Sequence, residues 1–351
     1  MKNTLLILSL FAALVVTSFW FIGSEKPELT AEARTQLTAE GLAENFAELS
    51  EGIVHYRLRG SETGPLVVLV HGFRTPSYVW KDQLEPLSEA GYRVLAFDNY
   101  GRGFSDRPDG DYTAERTDRL LMELLDHLAI SRPFHLVGYS MGGATASIFT
   151  ANHPTKIRSL TLIAPAGTGD KPGFVSLLSV RGIGEAIFHY AGDMLGRASA
   201  EKAAMASSDP ERYRTDHEAQ TRFDGYNRAL LSSLRHYPLW GAEETFKTVG
   251  ASGLPIQLIW GTDDDVSPYA DAMPTQSLIP QATFHSFDGT DHLVPLAEAE
   301  KLNTLLIDFV EANRIRRTSS GIGGKARGPE ARLEPADCLC HGDGDGDDAQ
   351  L

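Results

Sequence analysis

Seven short apolar runs, at residues 53–58, 66–70, 93–97, 134–137, 160–163, 256–260 and 283–287, alternate with stretches of helical spacing at 79–90, 114–128, 141–152, 269–278 and 296–312. Runs that are apolar throughout, rather than at every second residue, need burial on both faces, and the intervening helices supply the cover. The expected fold class is therefore α/β, a mostly parallel sheet covered by helices on both faces. With 351 residues, 42% of them hydrophobic, the chain can bury such a core, and disorder throughout is excluded.

One interval breaks the alternation. Residues 167–253 offer no convincing strand, only segments such as "FVSLLSVRGIGEAIFHYAGDML" with apolar residues near helical spacing. A structureless loop of about 85 residues is uncommon, so the interval is expected to be a helical cap inserted into a core of residues 51–166 and 254–315. Its aromatics Phe174, Phe188, Tyr190, Phe223, Tyr226 and Trp240 are candidate pocket walls, with packing between cap and sheet as the plainer role. Residues 24–50, polar and rich in alanine and glutamate, are expected to form a linker or short helix. Residues 316–351, rich in Gly, Ser, Pro and Asp, are expected to be a disordered tail.

Ahead of the linker, residues 5–23 form an uncharged apolar run, and 19 helical residues span roughly the 30 Å of a bilayer core. Lys2 precedes it, Glu25, Lys26 and Glu28 follow, and Trp20 and Phe21 sit where an interfacial belt would fall. Residues 1–23 are thus expected to be a membrane anchor with the body outside the cytoplasm. The competing expectation is a cleaved signal peptide and a secreted body, although the run exceeds the usual apolar region and no clean A-x-A site appears. A formal charge of −15 would repel a phosphate backbone, so nucleic acid is not an expected partner. The only cysteines, Cys338 and Cys340, lie in the tail beside His341. They give the folded part neither a disulfide framework nor a thiolate metal site.

The chemistry concentrates at strand ends. In "HLVGYSMGGATA" (135–146) an apolar run leads into Ser140 and a helix-prone stretch follows directly. A tight strand-to-helix turn there would lift the serine hydroxyl above the sheet, with Gly138, Gly142 and Gly143 letting backbones pass closely. The Met141 N–H at the start of the helix could stabilise an oxyanion. The Phe73 N–H could do so as well, because the run 66–70 turns through His71-Gly72 toward the serine. His71 itself reads as a structural residue of that turn and Arg74 as an exposed loop residue. Asp98, Gly101 and Gly103 in "DNYGRGFSD" read as turn-forming and loop-anchoring. A serine nucleophile needs a base and the base an orienting acid. Downstream, "WGTDDDVSP" offers Asp263, Asp264 and Asp265, and "GTDHLVPL" offers His292 in a loop after the last strand, whereas His285 lies within that strand and reads as structural.

Taken together, "HGF", "DNYGRGFSD", "GYSMGG", "WGTDDDVSP" and "GTDHLVPL", in that order over residues 51–313, resemble the α/β-hydrolase superfamily. The "HYRLRG" of the first strands and the "APAG" after residue 163 also look like members with a helical cap. The resemblance implies Ser140 as nucleophile, His292 as base, and Phe73 and Met141 as oxyanion donors. It implies Asp264 as acid, three residues after Gly261 and four before Pro268, with Asp263 and Asp265 as alternatives. No metal or organic cofactor is implied. Dehalogenases and epoxide hydrolases of this fold use an aspartate nucleophile, so Ser140 argues against both. The expected activity is hydrolysis of carboxylic esters, with monoacylglycerol or another lipid ester near the membrane as the substrate class. C–C bond hydrolysis, cofactor-free haloperoxidase chemistry and a noncatalytic binding scaffold are the alternatives.

Overall fold

The computed structural model describes residues 26–314. The apolar run at 5–23 and the tail with Cys338, Cys340 and His341 lie outside the described residues. Among the described residues no helix is long and apolar enough to cross a membrane.

Eight strands form one sheet in the order β1-β2-β4-β3-β5-β6-β7-β8. They are β1 (Asn45–Leu49), β2 (Gly52–Arg59), β3 (Leu66–Val70), β4 (Arg93–Phe97), β5 (Phe134–Tyr139), β6 (Ile157–Ile163), β7 (Ile256–Gly261) and β8 (Thr283–Phe287). β1 and β2 pair antiparallel with each other, as do β2 and β4, and every later pairing is parallel. All seven strands expected from the apolar runs are present, some of them longer than expected.

Successive side chains of a strand point to opposite faces, and both faces here are covered. From β3, Leu66, Val68 and Val70 join the cluster with Leu136, Leu160, Phe149 and Leu258, packed by α3 (Ala114–His127) and α4 (Met141–Asn152). Val67 and Leu69 enter the opposite cluster with Val137, Ile163 and Ile259, against α2 (Lys81–Glu89) and α12 (Ala299–Ala312). This is why β3, β5 and β7 are buried at every position, with His135 and Gln257 as the polar exceptions among apolar residues and glycines.

The expected cap interval holds five helices: α5 (Gly173–Leu178), α6 (Ile183–Ala206), α7 (Pro210–Thr221), α8 (Tyr226–His236) and α9 (Glu243–Gly250). The last belongs to the core layer, since Phe246 and Val249 are fully buried among Phe149, Leu258 and Trp260. The boundary at 253 therefore stands too late: apolar spacing marks a helix but not the layer it packs in. After β7, α10 (Ala272–Leu278) leads to β8, and the short α11 (Val294–Ala297) precedes α12.

The segment 24–50, expected to be a linker or short helix, holds a short helix and also an unexpected strand. It carries α1 (Ala31–Ala39) and then β1, joined to β2 by a tight turn at Ser50 and Glu51 and pairing Ala47 with Val54. Its signal is weak because β1 is an edge strand with one fully buried side chain, Ala47. Long-range contacts hold the segment. Leu37 is wholly buried with Leu42, Phe104 and Phe223, and the nearly buried Arg34 pairs with Asp106 and donates to the Leu29 carbonyl at 2.9 Å. Leu37→Ala should therefore lower the unfolding free energy by about 2–5 kcal/mol in a urea titration. A change below about 0.5 kcal/mol would mean that the segment is detachable.

Candidate active site

Parallel strands share one carboxyl edge, and ligand sites of such sheets lie beyond it. Phe73 follows β3, Ser140 follows β5, Asp264 follows β7 and His292 follows β8, so the topology brings four distant residues to one edge.

The turn at Ser140 is forced by crowding. β5 runs straight into α4, and Ser140 takes φ 57° and ψ −122°, in the region that side chains rarely adopt. A Cβ on Gly142 would overlap the Val70 carbonyl, and one on Gly138 would overlap the Gly142 carbonyl. The Ser140 N–H donates to the Ile163 carbonyl at 2.9 Å, while its own carbonyl accepts from Gly143 and Ala166.

Ser140 Oγ lies 2.9 Å from His292 Nε2, and His292 Nδ1 lies 2.8 Å from Asp264 Oδ2. All three residues are buried. Asp264 Oδ1 accepts the Val266 and Ser267 N–H groups at 2.9 and 2.8 Å, which holds the carboxylate in place. A carboxylate accepting at Oδ2 makes Nδ1 the donor, so Nε2 is left as the acceptor for the serine hydroxyl. The Tyr139 ring packs 5.1 Å from the imidazole, and Asp291 Oδ1 accepts the Leu293 N–H at 2.9 Å to fix the His292 turn. Of the neighbouring acids, Asp263 and Asp265 are exposed, and Asp265 faces Lys202 at 3.6 Å. His285 is half-buried within β8.

Among the described residues, no protein acceptor engages the Met141 or Phe73 N–H. Both side chains belong to one apolar cluster with Ala144, Tyr237, Leu239 and the half-buried Leu234 and Trp240. The Phe73 loop rests on residues whose part the sequence leaves unmarked. Arg102, 1% exposed, donates from Nε to the Phe73 carbonyl at 2.9 Å and from Nη2 to Ser233 Oγ at 2.8 Å, beneath the Phe73 ring. No acid pairs with it among the described residues, and burial brings its pKa down to about 10. The only signal in the sequence is an arginine between Gly101 and Gly103.

Asp98 anchors loops. It accepts the Ser77 N–H at 2.7 Å, the Phe104 N–H at 3.0 Å and His55 Nδ1 at 2.8 Å. Burial pushes this carboxyl up, but the His55 imidazole and the Ser77 donor outweigh it and hold the pKa well below the usual carboxylate range. Arg74 departs from expectation. It is only half-exposed, its Nη1 is buried without a partner, and its carbonyl accepts from Gln220 and Tyr226, because the cap closes over the loop. The cap aromatics divide. Phe188 and Tyr226 pack with Leu230 against Phe73, Phe223 packs on Leu37, and Trp240 lies beside Met141. Phe174 and Tyr190 point outward.

Residues 65–299 match the family model described as the alpha/beta hydrolase fold. The chain is 26% identical over 299 residues to a 2-hydroxy-6-oxononadienedioate/2-hydroxy-6-oxononatrienedioate hydrolase of Cupriavidus pinatubonensis, covering 80% of this chain and 99% of the relative. Among solved structures, a malate-bound thermophilic esterase from Thermogutta terrifontis aligns with a TM-score of 0.64 at 21% identity, over 78% of this chain and all of that one. A membrane phospholipase A aligns with a TM-score of 0.64 at 23% identity, over 90% of this chain and 99% of that one.

His71 has a defined tautomer, donating from Nδ1 to the Gly72 carbonyl at 2.7 Å and accepting the Asn99 N–H at Nε2 at 3.0 Å. Burial lowers its pKa from 6.5 to about 4, and burial likewise lowers His135 to about 3 and His217 to about 4. A depressed histidine binds fewer protons folded than unfolded, so its contribution is complete above pH 6.5 and is lost as the pH falls toward 4. Stability from urea unfolding should decline across that window. A flat profile would mean that these imidazoles are solvated in the folded protein.

Proposed function

This chain belongs to the α/β-hydrolase family, and we propose that it is a serine hydrolase of carboxylic esters, with lipid esters such as a monoacylglycerol as the substrate class. The observation that carries the proposal is the hydrogen-bonded line from Ser140 through His292 to Asp264, with the serine held at φ 57°. His292 Nε2 takes the hydroxyl proton as Ser140 Oγ attacks the ester carbonyl, and Asp264 stabilises the imidazolium that forms. The Phe73 and Met141 N–H groups receive the developing oxyanion. Collapse expels the alcohol, protonated by His292, and leaves an acyl-enzyme. Water activated by the same imidazole then releases the acid and restores the serine.

The cluster of Met141, Phe73, Leu234, Leu239 and Trp240 supports an acyl chain as the group held beside the serine. The apolar run at 5–23 supports a membrane-held enzyme with its body outside the cytoplasm. The name of the Cupriavidus relative, a 2-hydroxy-6-oxononadienedioate/2-hydroxy-6-oxononatrienedioate hydrolase, favours a second reading, C–C cleavage of an oxo-dienoate by the same serine.

p-Nitrophenyl esters from C2 to C16, assayed with the full chain in detergent, separate these readings. The ester proposal expects turnover with an optimum at medium or long acyl length, and Ser140→Ala should fall by about 10⁶ in kcat. Turnover of an oxo-dienoate with none of any ester would move the assignment to C–C hydrolysis. Inactivity of the folded wild type on both would favour a binding role. Asp264→Asn should keep the fold and lower kcat by about 10⁴; full activity in that variant would place the orienting acid elsewhere.

A further inference from the structure

Of the ten exposed large apolar side chains among the described residues, seven lie from position 174 to 195, on the first two cap helices and, for Val180, the turn between them. Phe174 is 68% exposed, Leu177 51% and Met194 59%, with Val180 and Ile183 between them. On α6, Ile183 and Met194 lie on one face at helical spacing, while Phe188 and Gly192 are buried on the other. Such a concentration on a protein surface marks an interaction site.

We propose that this outer face of the cap rests on the surface of a lipid bilayer, with its apolar side chains at the boundary of headgroups and acyl chains. The proposal relies on residues 5–23 being the anchor in that same bilayer. The path of the chain argues for it. Lys26, the first described residue, donates from Nζ to Asp193 Oδ2 at 2.7 Å and to the Thr221 carbonyl at 2.8 Å, and the Pro27 carbonyl accepts the Asp224 N–H at 2.9 Å. Asp193 sits on α6, next to Met194. Only three residue steps separate Gly23 from Lys26, so the apolar run ends within about 10 Å of Lys26 at full extension. A spanning segment would therefore hold the cap against the membrane that contains it.

Charge agrees locally. Lys171 and Arg181 are exposed beside the apolar face, with no carboxylate in ion-pair distance among the described residues. On a chain of formal charge −15, these cations give lipid phosphates a favourable point of approach. The inner side of α6 carries Phe188 into the cluster with Tyr226 and Leu231, against which Phe73 packs. One helix thus separates the proposed bilayer face from the loop beside Ser140.

The test uses the full chain with Cys338→Ser and Cys340→Ser, together with Leu177→Cys or, as a control, Ser61→Cys in the exposed turn before β3. Each variant is labelled with an environment-sensitive fluorophore and reconstituted in phosphatidylcholine–phosphatidylglycerol vesicles. Expected are co-flotation with the vesicles, a blue shift and severalfold quenching by brominated acyl chains for the label at 177, and neither optical change at 61. A chain that does not float with the vesicles would overturn the proposal at its anchor. A floating chain whose label at 177 is as water-exposed as that at 61 would overturn it at the cap. A shielded but unquenched label would overturn it in favour of a second copy or another protein segment on the face. These readouts involve no catalysis, so they fail or succeed separately from the ester reading. In a second arm, L177D combined with M194D should lower the rate on a vesicle-embedded ester about tenfold and leave the rate on a dissolved short-chain ester unchanged. Equal rates on the vesicle ester would count against the docking face.

Discussion

The close approach of the β5–α4 turn to the end of β3 is the constraint on which the rest depends. Gly142 leaves no room between its backbone and the Val70 carbonyl, and Ser140 is held at φ 57° as a consequence. A residue at such a dihedral costs of order 1–3 kcal/mol and persists only where the surroundings over-determine it. Here they do, through the bond from Ser140 N–H to Ile163 and the bonds its carbonyl accepts. The same approach sets the Phe73 loop beside the serine, because β3 and β5 are neighbours with Val70 in register with Gly138. The placement of the serine and of the Phe73 loop beside it thus follows from one packing contact at the edge that the parallel topology provides.

Two buried histidine–aspartate pairs show why a pair alone makes no site. His55 meets Asp98 and His292 meets Asp264 through Nδ1, each at 2.8 Å. The other nitrogen of His55 is occupied by the Glu44 N–H at 3.1 Å, and Asp98 spends its remaining capacity on Ser77 and Phe104. That pair locks β1, β2 and the β4 loop together. His292 instead leaves Nε2 facing a hydroxyl. The difference lies in what stands opposite the second nitrogen, which is a matter of topology.

Much of this was legible along the chain. Strands buried on both faces are mostly apolar, so β3 to β7 stand out, and the placement of Ser140, Asp264 and His292 after β5, β7 and β8 follows from parallel topology. What stayed hidden depends on contacts between distant segments. β1 has a single buried side chain, and α1 is held by Leu37 and Arg34 through partners far along the chain. Arg102 looks like a loop arginine until the fold places the Phe73 carbonyl against its Nε. The layer of α9 is set by which surface Phe246 meets, and helical spacing carries no information about that.

The cap poses the remaining physical problem. A helix in a water-soluble domain buries one stripe and presents polar residues on the other. α6 follows this rule only in part. Its inner side packs Phe188 and Gly192 against the body, yet its outer side keeps Ile183 and Met194 in the open. With Phe174, Leu177 and Val180 exposed just ahead of it, the cap presents apolar side chains on both sides. On the inner side their partner is the cluster reaching Phe73 and, through Met141, the serine turn. On the outer side the bilayer we propose would satisfy the same physics, since Lys26, the first described residue, bonds to Asp193 on the helix that carries this surface. An acyl chain moving from such a bilayer toward Ser140 would pass from one apolar surface to the next around a single helix, and its transfer would not require hydrating the whole chain at once.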